Sequence, residues 1–300
     1  MKRNFLAVTD FTTEEIKQTF QLALDMKSKK ITPLPLKDKA VACIFLKPSL
    51  RTRVSFEVGI GQLGGKSLYI TGDEIGLGKR ESIYDAAKVL SRFVDMIVIR
   101  AFDHREVEQL AKHAEVPVIN GLTDLLHPCQ VMGDMLTILE KKEKVEGLTI
   151  AYLGDGNNVA NSWLNASTRF SFNLRIGTSP ETKPDQDILQ NAQKIGLSQI
   201  TVTFDPKKTI KDADVVYTDV WASMGQKQLS EQRSKLLKDF QVNNDLLKYA
   251  KEDCIVMHCL PANRGAEITD EVMDGPHSVV FDQAENRLHI QKAVMMRLLS

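Results

Sequence analysis

Val41-Ala42-Cys43-Ile44-Phe45-Leu46-Lys47-Pro48-Ser49-Leu50-Arg51-Thr52-Arg53-Val54-Ser55-Phe56-Glu57 puts an apolar run directly before two hydroxyls and two guanidinium groups. The run 41–46 reads as a buried strand, and Pro48 stops it because proline offers no N–H to a sheet ladder. Ser49, Leu50, Arg51 and Thr52 then fall at the turn into the next element. If that element is a helix, its first N–H groups and positive dipole end face the same point as Ser49, Arg51 and Thr52, which is how a dianion is held. Periodicity leaves the choice open. Val54, Phe56, Val58 and Ile60 alternate as in a strand, while the pairs Val54/Val58 and Phe56/Ile60 also fit i,i+4 spacing; a helix is the expectation. An arbitrary Ser-x-Arg-x-Arg would be solvated charge beside a cap, and it is the position after a strand that favours a phosphate receptacle.

Outward from this turn, short apolar runs recur at 67–70, 95–99 and 117–119, and again at 148–153, 172–176, 200–204, 214–217 and 255–257. Amphipathic segments separate them, beginning with a capped helix at Thr12-Thr13-Glu14-Glu15. Alternating strands and helices predict parallel sheets covered on both faces, an α/β fold. The charged stretch 140–146 and Gly147 mark a boundary between two domains, 1–143 and 144–284, with a terminal helix at 285–300 returning to the first. The Gly-rich, charged segment 71–80 reads as an exposed, mobile loop.

Composition narrows the function. Three hundred residues with 43% hydrophobic content suffice for two cores of about 150 residues each. Thirty-nine basic residues balance 39 acidic ones without a long basic block, which argues against nucleic-acid and anionic-membrane partners. Met1-Lys2-Arg3-Asn4-Phe5 shows no signal peptide, and no apolar run reaches the roughly 20 residues of a membrane span. Cys43, Cys129, Cys254 and Cys259 lack Cys-x-x-Cys spacing, so neither a zinc site nor a disulfide framework is indicated; the expected location is the cytoplasm.

Further candidates stand at strand ends, where open α/β sheets place their ligands. Arg100 follows Met96-Ile97-Val98-Ile99, and Leu126-His127-Pro128-Cys129-Gln130 sets His127 and Gln130 at a second helix start. Asp219 follows Val215-Val216-Tyr217 and precedes Ser223-Met224-Gly225, a combination suited to an amine and an α-amino-acid head group. Cys259 follows the strand at 255–257 as a candidate functional thiol. Arg287 adds a cation near the start of the last helix. Two glycine patterns are decoys for dinucleotide binding. Gly59-x-Gly61-x-x-Gly64 ends a helix instead of following a strand, and Gly154-x-Gly156 has Val159 in the third position and no acid at the end of the next strand.

Six ordered segments resemble the aspartate and ornithine carbamoyltransferases: Ser49–Glu57, His127–Gln130, Gly154–Asn158, Asp219–Gly225, His258–Ala262 and Phe281–Arg287. The second half resembles the ornithine branch, since the aspartate branch carries His-Pro-x-Pro where His258-Cys259-Leu260-Pro261 stands and lacks Ser-Met-Gly. The resemblance implies transfer of the carbamoyl group from carbamoyl phosphate to the side-chain amine of L-ornithine, giving citrulline and phosphate in arginine metabolism. Ser49, Leu50 through its N–H, Arg51 and Thr52 would hold the phosphate. Arg100, Thr52, His127 and Gln130 would polarise the carbamoyl group, with Arg287 and the carbonyls of Cys259 and Leu260 completing that pocket. Asn158, Asp219, Ser223 and Met224 would fix ornithine, and Cys259 and Asp219 would favour its neutral amine; Cys259, Asp219, Arg100 and His127 are the implied catalytic residues. A cis Leu260-Pro261 bond, a homotrimer with sites near subunit interfaces, and no metal or organic cofactor are also implied. The chain departs from the family at Leu50, usually Thr, at Gly76, usually the Gln or His supplied to a neighbouring subunit, and at Asn263, usually His. A non-enzymatic anion-binding subunit would require the loss of more polar site residues than these. The direction of the reaction in the cell is not legible.

Overall fold

The computed structural model describes residues 2–78, 80–221 and 227–299. The chain forms two compact units, Met1–Met132 with Arg287–Ser300, and Gly133–Asn286.

The elements up to the second unit are α1 (Thr13–Lys27), β1 (Ala40–Phe45), α2 (Leu50–Gln62), β2 (Lys66–Thr71), α3 (Gly72–Ile75), α4 (Ile83–Phe93), β3 (Met96–Arg100), α5 (His104–His113), β4 (Val118–Leu122) and α6 (Pro128–Lys142). The first sheet is parallel in the order β2-β1-β3-β4, so the chain reverses its direction of winding between β1 and β3. Such a reversal opens a crevice at the carboxyl ends of the two strands. Every position of β3 and β4 and all but the first of β1 are buried, as expected for strands covered on both faces. Register slips between Ile99 and Arg100, with Gly121 as the additional residue on β4; a bulge of this kind re-aims the side chain at the strand end.

The ambiguous period after Pro48 resolves as a helix. Phe56 and Ile60 form the buried i,i+4 pair of α2, while Val54 and Val58 face outward. The glycine decoy has a packing cause as well. A Cβ on Gly59 would stand 3.3 Å from Lys292 Cγ, so this glycine admits the last helix close to α2, and Gly64 takes a left-handed backbone after the helix (φ +86°). Segment 71–80 differs from the exposed loop expected. Thr71 and Glu74 form a reciprocal cap on α3, and Ile75 and Leu77 are buried.

The second unit contains β5 (Thr149–Leu153), α7 (Asn158–Ala166), β6 (Asn173–Gly177), α8 (Gln186–Ile195), β7 (Gln199–Thr203), α9 (Pro206–Ile210), β8 (Val215–Thr218), α10 (Lys227–Leu237), α11 (Asn244–Leu247), β9 (Ile255–His258), α12 (Asp270–Met273) and the start of α13 (Val280–Leu299). Its sheet is parallel in the order β7-β6-β5-β8-β9, and the winding reverses between β5 and β8. Trp163, Tyr152, Tyr217 and Phe172 are among its largest fully buried side chains, the two tyrosine rings stacked at 5.5 Å. Gly156 has no room for a side chain: a Cβ would lie 2.2 Å from Pro184 N, and the Gly156 N–H donates to Thr182 O at 2.7 Å. The place of a pyrophosphate in a dinucleotide fold is taken by residues 182–184. Helix α13 starts at Val280, so Asp282 through Arg287 lie within it and do not lead into it as expected. Among the described residues no helix is long and apolar enough to cross a membrane.

Candidate active-site clusters

Both reversals of winding carry the residues that the sequence singled out. In the first unit, Ser49 caps α2: its Oγ accepts the Thr52 N–H at 3.4 Å and donates to Thr52 Oγ1 at 3.0 Å. Thr52, 2% exposed, also receives Arg100 Nη1 at 3.2 Å and Arg287 Nη2 at 3.3 Å. Arg287 Nη1 reaches Gln130 Oε1 at 2.5 Å. Two guanidinium groups, 8% and 6% exposed, therefore converge on one hydroxyl at a helix N-terminus. Like charges at the positive end of a helix dipole are favourable only with an anion beside them. The buried imidazole of His127 follows the same logic: burial, and then the charges of Arg287, Arg100 and Lys47, hold its pKa well below the usual histidine range, so it is neutral. A neutral imidazole donates one hydrogen bond without adding charge.

The two arginines of the motif part company. Arg53 lies over the Tyr69 ring at 3.6 Å and donates to Glu57 Oε1 at 3.0 Å, so it serves the fold. Arg51 is half-buried in the first turn of α2, and its guanidinium has no side-chain partner among the described residues. Leu50 is 75% exposed and contributes its backbone.

In the second unit, Asp219 sits just past β8, 5% exposed. Its Oδ1 accepts the Val220 N–H at 2.7 Å and the Cys259 thiol at 2.6 Å, and its Oδ2 accepts Asn157 Nδ2 at 2.7 Å. Asn157 is the asparagine that meets Asp219, and the predicted ornithine ligand Asn158 is the first residue of α7. Cys259 is held by the turn that follows β9. Leu260 has a left-handed backbone (φ +57°), a conformation that costs a branched residue roughly 1–2 kcal/mol, and its N–H donates to His258 Nδ1 at 2.8 Å. The Leu260-Pro261 bond is cis. His258 Nδ1 accepts a proton donor, so Nε2 carries the hydrogen and donates to the buried Glu267 at 3.1 Å; Glu267 also accepts the Asn263 N–H at 2.5 Å. Gln283 supports the strand end, accepting the His258 N–H at 2.9 Å and donating to Asp134 and Tyr217.

Asp219, His258 and Cys259 each place a donor atom within 4.8 Å of the others, but the imidazole nitrogens are engaged by Leu260 and Glu267, so the triad does not present three ligands to an ion. Asp155, paired with Arg233, is pushed up to about 6 by burial, opposed by Arg233 and aided by Asp219. Burial lifts Tyr152 and Tyr217 well above the ordinary range, so both phenols keep their protons. Ser223 and Met224 lie outside the described residues. Asn157, Glu267 and the Asp155–Arg233 pair carried no role in the sequence reading, although a strand followed by Asn157-Asn158 is itself a capping signal.

Residues 3–140 match the family model "Aspartate/ornithine carbamoyltransferase, carbamoyl-P binding domain", and residues 146–298 match "Aspartate/ornithine carbamoyltransferase, Asp/Orn binding domain". The chain belongs to the aspartate/ornithine carbamoyltransferase family. Within the family, the ornithine carbamoyltransferase of Thermococcus kodakarensis is 53% identical over 98% of this chain and 95% of its own. A Pyrococcus furiosus relative named "Ornithine carbamoyltransferase, anabolic" is 50% identical over 98% and 95%. A solved structure of ornithine carbamoyltransferase from P. furiosus superimposes with a TM-score of 0.93 at 49% identity, covering 98% of this chain and 96% of that one.

Proposed function

We propose that the chain transfers the carbamoyl group of carbamoyl phosphate to the side-chain amine of L-ornithine, yielding L-citrulline and phosphate, in the biosynthetic direction toward arginine. The observation that carries this reading is the convergence of Arg100 and Arg287 on Thr52 at the N-terminus of α2, an anion receptacle built at a strand end. The names of the relatives from T. kodakarensis and P. furiosus support the choice of ornithine, and the word anabolic supports the direction.

Ser49, Arg51, Thr52 and the first N–H groups of α2, that of Leu50 included, take the phosphate. Arg100, Thr52, neutral His127 and Gln130 donate to the carbamoyl group, with Arg287 stabilising charge as it develops. The carbonyls of Cys259 and Leu260 complete the carbamoyl pocket, while Asp219, Ser223, Met224 and Asn158 fix ornithine and Cys259 and Asp219 favour its neutral side-chain amine. The neutral amine attacks the carbonyl carbon to give a tetrahedral oxyanion; the C–O bond to phosphate then breaks, and the departing phosphate accepts the amine proton. Preorganised donors supply the rate, each worth about 3 kcal/mol in comparable oxyanion sites. No step requires a metal or organic cofactor.

The division of labour follows the chain: residues 1–143, with the terminal helix 285–300, bind carbamoyl phosphate, and 144–284 bind ornithine. The family-model ranges support it. The protein acts in the cytoplasm as a homotrimer, with Gly76 leaving a neighbouring subunit's site without the usual Gln or His.

Purified protein is incubated with carbamoyl phosphate and, separately, ornithine, putrescine, N-acetylornithine and aspartate, and phosphate release and carbamoylated product are followed. Citrulline well above every other product is the expected result. Preference for another amine would overturn the second-unit assignment, and absence of turnover would overturn the enzymatic reading.

A further inference from the structure

The amide of Asn157 has a single possible orientation. Its Oδ1 caps α7, accepting the N–H groups of Val159 and Ala160 at 2.9 and 3.4 Å. A cap needs the oxygen there, so the atom 2.7 Å from Asp219 Oδ2 is Nδ2, a donor. The Tyr152 hydroxyl donates to the same Oδ1 at 3.0 Å. On its other oxygen Asp219 receives the Val220 N–H and the Cys259 thiol. Each of these contacts to Asp219 comes from a donor, whereas a protonated carboxyl would need an acceptor in one of those places.

We propose that Asn157 is a positioning residue for ornithine: its Nδ2–H anchors Oδ2 of the Asp219 carboxylate and turns Oδ1 toward Cys259, so that the substrate's ammonium group meets an anion fixed in place. This deepens the functional reading above and rests on it. Other groups face Asp219 from every neighbouring element. Cys259 and His258 stand on the β9 side. Asp155, with Arg233 of α10 paired to it, stands past β5, and Tyr152 and Tyr217 lie in the sheet beneath. Asp155 is a second carboxylate close enough for mutual repulsion, and Asp219 helps push the Asp155 pKa up to about 6. The Asn157 donor, together with Arg233, offsets that repulsion.

Asn157→Asp separates the cap from the donor. Aspartate caps a helix as well as asparagine and still accepts from Tyr152, but it sets a carboxylate oxygen where the donor was. Two carboxyl groups at that distance share one proton. The expected variant unfolds within a few degrees of the wild type and binds carbamoyl phosphate alone with unchanged affinity. Its KM for ornithine rises at least about tenfold near neutral pH, and the acid limb of its kcat/KM profile moves up by about one unit or more, each unit being tenfold in proton affinity. Carboxyl-carbon NMR of the ligand-free protein makes the same comparison without turnover: N157D holds one more carboxyl proton at neutral pH than the wild type. An N157D protein with wild-type KM, pH profile and carboxyl titration would overturn the proposal; so would a loss uniform across pH with a lowered unfolding temperature, which would reduce Asn157 to a cap. Wild-type citrulline formation is read first, so failure of the functional reading shows there and not in the comparison.

Discussion

The Arg287 guanidinium donates to the side-chain carbonyl of Gln130 at 2.5 Å and to Thr52 at 3.3 Å, so one side chain links two helix N-termini. The fork geometry of arginine is what allows both contacts, and lysine cannot reproduce it. Arg287→Lys should weaken carbamoyl phosphate binding about 10- to 100-fold, the range set by losing a hydrogen bond to a charged group. Calorimetric titration with carbamoyl phosphate checks this, and undiminished affinity would remove Arg287 from the receptacle.

Leu50 departs from the family pattern at the most exposed position of the α2 start. Its side chain packs little and its backbone does the binding in our reading. Leu50→Thr should therefore alter the KM for carbamoyl phosphate less than about threefold and stability by less than about 0.5 kcal/mol, as is usual for surface substitutions. A tenfold gain in affinity would show that the hydroxyl matters and that this chain works without it.

Gly76 closes α3 with a left-handed backbone (φ +55°), and a Cβ there would stand 2.8 Å from Arg80 Cβ. Restoring the family's side chain by Gly76→Gln should cost about 1–2 kcal/mol, the penalty of that backbone region for a residue with a Cβ. Urea unfolding midpoints measure it. A variant as stable as the wild type would mean that segment 71–80 re-forms around the new side chain.

His127 sets a pH dependence with a definite sign. Its pKa is held well below the ordinary value, so as pH falls below about 6.5 the unfolded chain takes up a proton that the native state refuses. Stability is fully present above that pH and is lost below it, by up to about 1.4 kcal/mol per unit. His127→Gln should lose less stability than the wild type between pH 6.5 and 5, by urea unfolding at each pH. Equal losses in both proteins would mean that His127 is protonated in the fold.

Most of the strands, both parallel sheets and the strand-end clusters were legible because the cues are local: a buried run, a stop, then a polar turn. What escaped depended on distance or on one residue of phase. Thr52 and Arg287 lie 235 positions apart, so their place in one pocket came only from the family resemblance, and their hydrogen bond comes from the fold. Asn157 went unassigned because it acts as the cap of α7, and a helix boundary is uncertain from sequence by a residue or two. Arg53 had no assigned role in the sequence, and the fold gives it one against Tyr69 of β2. His258 carried no role in the sequence reading, and in the fold both of its nitrogens serve the turn that carries Cys259.

The first unit is discontinuous, and this orders events during synthesis. Ser49, Thr52, Arg100 and Gln130 emerge from the ribosome before the second unit is translated, whereas Arg287 comes after it. The receptacle lacks one of its two converging guanidinium groups until the second unit has been made. A nascent chain with the whole first sheet formed but the second unit still to come therefore cannot bring both guanidinium groups to Thr52.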